Sequence, residues 1–301
     1  MTENSKIYQN IVNNQVNRIE KDIKEINKLT NEIPKLKNEI SNNINVDKLT
    51  NVSDLKQESE KSNLDYYYLI LDDAPLSIHI LDLFNNNNIY FEYYLGESSK
   101  IPYDKILEVI QNNGIIVYLS EYKISYHDEI SKNELYIKNL YDKNIVPIQK
   151  IIKLILDYNI NTKFIYLSNP NVFSGQRSNY LTYSEINPIN LYGKSKATSE
   201  YITKMLPNYL IIRASYMDEH TFVNLIPYND IIRDWLPIEQ IKNKLYQSII
   251  QNINGILHIS GKRTNLLRLY KKHVNPDYNL KKIADTDIKY IIPVDLTLKD
   301  I

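Results

Sequence analysis

The sequence predicts an α/β protein: a doubly wound parallel sheet with a smaller C-terminal mixed lobe, preceded by an N-terminal helical arm. Three observations predict it. Short apolar runs alternate with helix-period segments from about residue 65, the pattern of a parallel sheet covered on both faces. Residues 1–64 contain no Gly, Trp or Phe and carry one narrow apolar stripe. After Tyr216 the periodicity weakens. These divisions give an arm over 1–64, a sheet domain over 65–215 and a smaller lobe over 216–301.

In the arm, Val12, Val16, Ile19, Ile23, Ile26, Leu29, Ile33, Leu36 and Ile40 recur at spacings of three and four. That is a coiled-coil seam with one three-residue skip at Ile26 to Leu29. Pro34 should kink or break the helix after Ile33. Residues 7–44 are therefore expected either to join copies of the chain or a protein partner, or to fold back on their own domain.

In the sheet domain, Tyr66–Leu71 reads as a buried strand and Leu76–Phe84 as a helix. Ile89–Leu95 reads as a strand, Tyr103–Ile110 as a helix and Ile115–Leu119 as a strand. A long helical stretch covers Glu134–Asp157, and strands follow at Lys163–Ser168 and Tyr209–Arg213, with a helix between them. In the lobe, GILHISG at 255–261 is the clearest strand and turn.

Composition bounds the function. The chain has 301 residues, 36 basic and 36 acidic side chains, and no cysteine. Balanced charge gives no electrostatic footprint for nucleic acid or an anionic membrane. Without cysteine there is no disulfide, thiolate metal site or thiol nucleophile. The N-terminal MTENSKIYQN lacks a signal-peptide core, and no run reaches the ~20 apolar residues of a membrane span. A cytoplasmic location is expected.

The candidate chemistry lies in NPINLYGKSKATSE, residues 187–200. Tyr192 and Lys196, at i and i+4, share one helix face. An ammonium there would stabilise a phenolate and lower the tyrosine pKa toward working pH, suiting it to exchange a proton with a carbonyl oxygen. Among 26 tyrosines the spacing alone carries little weight. The flanks carry more: KFIYLSNPNVFSG precedes the motif, Glu185 lies between, and LPNYLIIRASY follows.

This succession resembles the extended short-chain dehydrogenase/reductase family, a Rossmann-like fold, and within it the dTDP-4-dehydrorhamnose reductases. The resemblance is carried by Ser168, Val172, Phe173, Gly175, Glu185, Asn187, Pro188, Tyr192, Gly193, Ser195, Lys196, Glu200 and Arg213. It implies NADP or NAD as cofactor, a nucleotide-linked 4-keto-6-deoxy sugar as ligand and Tyr192 as general acid. Lys196 would depress the pKa of Tyr192 and hold the cofactor ribose, and Asn169, where the family has Ser or Thr, would orient the keto oxygen.

The chain departs from the family at the dinucleotide turn. Aligned through the following helix, the family's three glycines fall on Leu71, Ala74 and Ser77 in LILDDAPLSIHIL, and no glycine precedes Gly96. Asp72 or Asp73 followed by Pro75 reads as a capped helix start. Carboxylates there would oppose a diphosphate, since like charges ~5 Å apart in a dry site repel by kilocalories. After the IIVYL strand the family has small residues where this chain has Ser120 and Glu121. The family's Asn-x-x-Gly-Thr appears as Asn144 to Ile148, with the glycine lost. Ordinary NAD(P) binding is thus not expected at this turn.

Three functions stay open. The first is a non-catalytic binding or scaffold module, for which the related regulatory subunit of methionine adenosyltransferase is a precedent. The second is an active NAD(P)H-dependent reductase. The third is an assembly protein working through the arm. His127-Asp128-Glu129 reads as a solvated turn, His258 as structural, and His79, His220 and His273 show no metal-ligand spacing.

Overall fold

The computed structural model describes residues 67–72, 75–95, 102–122, 134–217, 228, 230–273 and 293–299. The arm over 1–64, its seam over 7–44 and the His127-Asp128-Glu129 turn lie outside the described residues.

Six parallel strands form the main sheet: β1 (Tyr68–Asp72), β2 (Phe91–Leu95), β3 (Ile115–Tyr118), β4 (Lys163–Ser168), β5 (Tyr209–Ala214) and β9 (Gly255–Ile259). Their order is β2-β1-β3-β4-β5-β9. Side chains alternate between two cores. Tyr68, Ile70, Ile115, Val117, Ile165 and Leu167 face one, and Leu69, Leu71, Ile116, Tyr118, Phe164 and Tyr166 face the other. Both faces of the central strands are buried, so β1, β3, β4 and β5 each carry a run of apolar residues, as a parallel sheet requires.

Helix α1 (Pro75–Asn86) and α6 (Ile238–Ile250) place Leu76, Ile80, Phe84, Ile241, Leu245 and Ile249 in the first core. Helix α2 (Tyr103–Gln111) and α4 (Val146–Tyr158) place Ile106, Val109, Ile110, Ile148, Ile151 and Ile155 in the second. The sheet is therefore doubly wound. Residues 238–259, which the sequence assigns to the C-terminal lobe, supply a covering helix and the sixth strand of this main sheet.

The long helical stretch is interrupted. After α3 (Glu134–Leu140) the chain makes a π turn over Tyr141–Ile145 before α4 begins. Pro147 near the start of α4 has no N–H to offer the preceding turn, and the Tyr118 hydroxyl instead donates to the Lys143 carbonyl at 3.3 Å. Glycine is scarce, and asparagine takes left-handed turn positions: Asn88, Asn113, Asn179 and Asn252 have φ of 54°, 54°, 56° and 51°. Asparagine is the residue most tolerant of that region after glycine.

The remaining elements are small: β6 (Tyr216–Met217), β7 (Ile232–Arg233), β8 (Leu236–Pro237), β10 (Thr264–Asn265) and α7 (Leu266–His273). Residues 293–299 strap the loop that follows β4. Asp295 N–H donates to the Gly175 carbonyl at 3.0 Å, Tyr180 N–H to the Thr297 carbonyl at 3.0 Å, and Lys299 N–H to the Tyr180 carbonyl at 2.9 Å. Gly175, at φ +73°, would place a Cβ 2.4 Å from the Pro293 side chain. This strap fixes the path into α5 (Leu191–Thr203), the helix that carries the YGKSK motif.

Candidate functional site

The chain leaves β1 toward β2 on one side and returns to β3 on the other, so its direction across the sheet reverses between β1 and β3. Folds of this kind bind ligands in the crevice beyond the strand ends at that reversal. Glu121 lies just past β3, at this crevice.

Helix α5 begins on Asn190, whose side-chain oxygen accepts the Gly193 N–H at 2.7 Å. A Cβ at Gly193 would stand 2.1 Å from the Asn171 carbonyl oxygen. The glycine after Tyr192 thus lets the helix rest directly on the 3-10 turn Pro170–Val172.

Tyr192 and Lys196 share one face of α5, as their spacing predicts. The Lys196 ammonium donates to the Leu167 carbonyl at 2.8 Å and stands 4.5 Å over the Tyr166 ring. The Tyr192 hydroxyl donates to Glu121 Oε2. That same carboxylate oxygen lies 4.0 Å from Lys196 Nζ, and the lysine and glutamate side chains are 1% and 6% exposed.

This geometry overturns one expectation from sequence. Lys196 does not bring the Tyr192 pKa down. Burial, followed by the Glu121 charge and the hydrogen bond to it, pushes the phenol well above the ordinary tyrosine range. A phenolate would sit against a carboxylate in a dry site, and the lysine charge is already answered.

Asn169 follows β4 and caps the 3-10 turn. Its side-chain oxygen accepts from Asn171 N–H at 3.0 Å and Asn171 Nδ2 at 2.6 Å, so its amide N–H2 is the group left to meet a ligand. Of the family's glycine positions, Leu71 and Ser77 are buried side chains, and Ala74 lies outside the described residues. The side chains of Asp72 and Asp73 lie outside them too.

Other family-like positions converge on structure. Arg213 grips Glu200 through Nε–Oε1 at 2.9 Å and Nη2–Oε2 at 2.7 Å, and Ser168 Oγ donates to Glu200 Oε1 at 2.6 Å. Arg213 Nη1 donates to the Thr182 carbonyl at 3.0 Å and meets His258 Nε2 at 3.3 Å. Since a guanidinium can only donate, Nε2 is the unprotonated ring nitrogen. The guanidinium also lies 4.9 Å from the Phe173 ring centre. This buried network ties β4, β5 and β9 to α5, and it gives His258 a structural place. Among the described residues no cluster of histidine, aspartate or glutamate could hold a metal ion, and no helix is long and apolar enough to cross a membrane.

Sequence reasoning does not pair Glu121 with Tyr192. The available signal is an acid directly after a wholly apolar strand, where water is absent and a partner is required. Asn144, recognised only as a motif remnant, clamps the next residue: its Oδ1 accepts Tyr122 N–H at 2.7 Å, and its Nδ2 donates to the Tyr122 carbonyl at 2.9 Å and to Ser195 Oγ at 3.0 Å.

Residues 144–226 match the RmlD substrate binding domain family. No curated protein matches the chain by sequence. Among solved structures, a dTDP-4-dehydrorhamnose reductase from Clostridium acetobutylicum is 13% identical with a TM-score of 0.64, over 77% of this chain and 90% of that one. The dTDP-4-dehydrorhamnose reductase from Bacillus anthracis, solved in complex with NADP, is 17% identical with a TM-score of 0.63, over 78% and 91%. The dTDP-glucose 4,6-dehydratase DesIV from Streptomyces venezuelae, solved with NAD bound, is 13% identical with a TM-score of 0.60, over 77% and 88%. At these identities the structural likeness is one of fold. By fold across the main sheet, and by sequence over residues 144–226, the chain is similar to the extended short-chain dehydrogenase/reductases of the dTDP-4-dehydrorhamnose reductase type.

Proposed function

We propose that this chain is a binding or scaffold module on a reductase fold, with ordinary NAD(P) binding lost. The observation that supports it most is the occupation of the Tyr192–Lys196 pair by Glu121. A dinucleotide would need Lys196 free to meet its ribose and Tyr192 free to meet a substrate. On this reading the residues present do not fit it. Leu71 and Ser77, buried where glycines would let the backbone approach a diphosphate, point the same way. The ligand class suggested by the likeness is a nucleotide-linked sugar, and a partner protein or a second copy of the chain would engage residues 7–44.

A working reductase of a nucleotide-linked 4-keto sugar is the second reading. It is favoured by Tyr192 and Lys196 keeping one helix face beside the crevice, and it requires Glu121 to leave. Titrating the protein with NADH and NADPH, followed by Trp235 fluorescence or melting temperature, separates the two. No saturation at millimolar cofactor supports the module. Saturable binding below ~100 μM, about 5.5 kcal/mol, overturns it.

A further inference from the structure

We infer that Glu121 is an internal ligand of the Tyr192–Lys196 site: the chain itself supplies the anion and hydrogen-bond acceptor that such a site would otherwise take from a bound molecule. The inference deepens the proposed loss of NAD(P) binding and rests on that reading.

One carboxylate oxygen serves both groups, accepting from the Tyr192 hydroxyl and standing 4.0 Å from the Lys196 ammonium. The Lys196 and Glu121 side chains are 1% and 6% exposed, so each charge offsets part of what the other loses by leaving water. Removing either one alone takes away an opposite charge that stood 4.0 Å from the one that stays. Removing both takes out the ion pair as a unit.

The backbone beside the carboxylate is also held in place. Asn144 grips both the N–H and the carbonyl of Tyr122, the residue after Glu121. Its Nδ2 reaches Ser195 Oγ on α5, next to Lys196. The Lys143 ammonium covers the Tyr122 ring at 4.6 Å. Ser199, one turn on from Ser195, donates to the Asn144 carbonyl at 2.9 Å. The loop that delivers Glu121 is thus fastened to the helix that presents Tyr192 and Lys196. A loop anchored in this way brings the Glu121 side chain to the pair at reduced conformational cost, as a pre-organised ligand would come.

The test is chemical rescue in the full-length protein. E121A removes the carboxylate and opens a space of about the size of acetate beside Lys196. Its unfolding midpoint is expected to fall below that of the unsubstituted protein. Sodium acetate should then raise it by more than sodium chloride of equal ionic strength, because a ligand of the folded state stabilises by mass action. Acetate should have no such specific effect on the unsubstituted protein or on E121A/K196M. An E121A midpoint equal to that of the unsubstituted protein, or the same acetate effect in all three proteins, overturns the inference.

If E121A does not fold, E121Q and E121Q/K196M replace it. The double variant should be the more stable of the two, and a double variant no better than E121Q overturns the inference. Failure of the underlying reading looks different. Tight NADH or NADPH binding by the unsubstituted protein overturns the proposed function and the inference with it, whereas absence of a specific acetate effect, with no cofactor binding, overturns the inference alone.

Discussion

Glu121 accepts the hydroxyl proton of Tyr192 from a position 4.0 Å from Lys196, and this one contact changes what the Tyr–Lys spacing means. In isolation the pair predicts an acidified phenol. With a carboxylate placed on the hydroxyl, the proton is held instead, and the lysine serves as counter-ion to the glutamate. The pair is a buried polar unit whose members each depend on the others.

An alkaline stability difference follows. The Tyr192 pKa is raised well above its ordinary value by burial and by Glu121. Unfolded, the phenol loses its proton near pH ~10. Above that pH the unfolded state binds fewer protons than the folded state, so stability falls as pH rises. Denaturant unfolding of the unsubstituted protein and Y192F, followed from pH 8 to 11, should show the larger loss in the unsubstituted protein. The extra loss approaches about 1.4 kcal/mol per pH unit. Parallel curves would refute the assignment.

The Arg213–Glu200 pair should be costly to break. Both side chains are fully buried and meet through two parallel hydrogen bonds of 2.9 and 2.7 Å. Glu200→Ala leaves a guanidinium without its anion, and a loss of about 3–5 kcal/mol is expected. Arg213→Lys keeps the charge but loses the planar fork, the Thr182 contact and the stacking on Phe173, so it should also destabilise. Urea midpoints of the two variants check both. A loss within the surface range of about 0.5 kcal/mol for either would contradict the reading.

Lys163 should act in the opposite sense and in a lower pH window. Its ammonium donates to the Ile253 carbonyl at 2.6 Å and to Asn254 Oδ1 at 2.8 Å, and burial lowers its pKa to about 8. The unfolded lysine titrates near ~10.4. Between these values the unfolded state binds more protons, so stability rises with pH and the gain is complete above the unfolded value. K163M should lack this rise. The comparison is read from melting temperatures at pH 7.5 and 9.5, and an equal rise in K163M would exclude Lys163 as its source.

How far the sequence reaches depends on the range of the interaction. The strands at 68–72, 115–118, 163–168 and 209–214 are legible because burial on both faces gives each an unbroken stretch of four apolar residues. Tyr192 and Lys196 on one face are legible because the helix period is local. The π turn before Pro147 is hidden inside a stretch that otherwise keeps helix periodicity, although the proline is a signal for it. β9 reads as part of a separate lobe because its partner β5 lies far upstream in the chain, and parallel pairing leaves no turn signature. Glu121 reads as a misplaced acid, but its partner is 71 residues away. The sign of the Tyr192 pKa shift turns on that distant group.

The glycine after Tyr192 offers a test of how firmly the site is seated. A Cβ at Gly193 would lie 2.1 Å from the Asn171 carbonyl oxygen and 2.9 Å from Asn190 Oδ1, the cap of α5. Neither neighbour is the free end of a flexible chain: one is backbone, and the other is engaged with the Gly193 N–H at 2.7 Å. Gly193→Ala should therefore push α5 off the Pro170–Val172 turn at a cost of about 1–3 kcal/mol. This outweighs the gain of up to about 1 kcal/mol that alanine brings to a helix over glycine. The displacement moves Tyr192 and Lys196 relative to Glu121, so the variant should also lose part of the extra alkaline destabilisation assigned to Tyr192. Denaturation of Gly193→Ala at pH 8 and 11 measures both effects, and a variant as stable as the unsubstituted protein would show that α5 is not seated on Asn171.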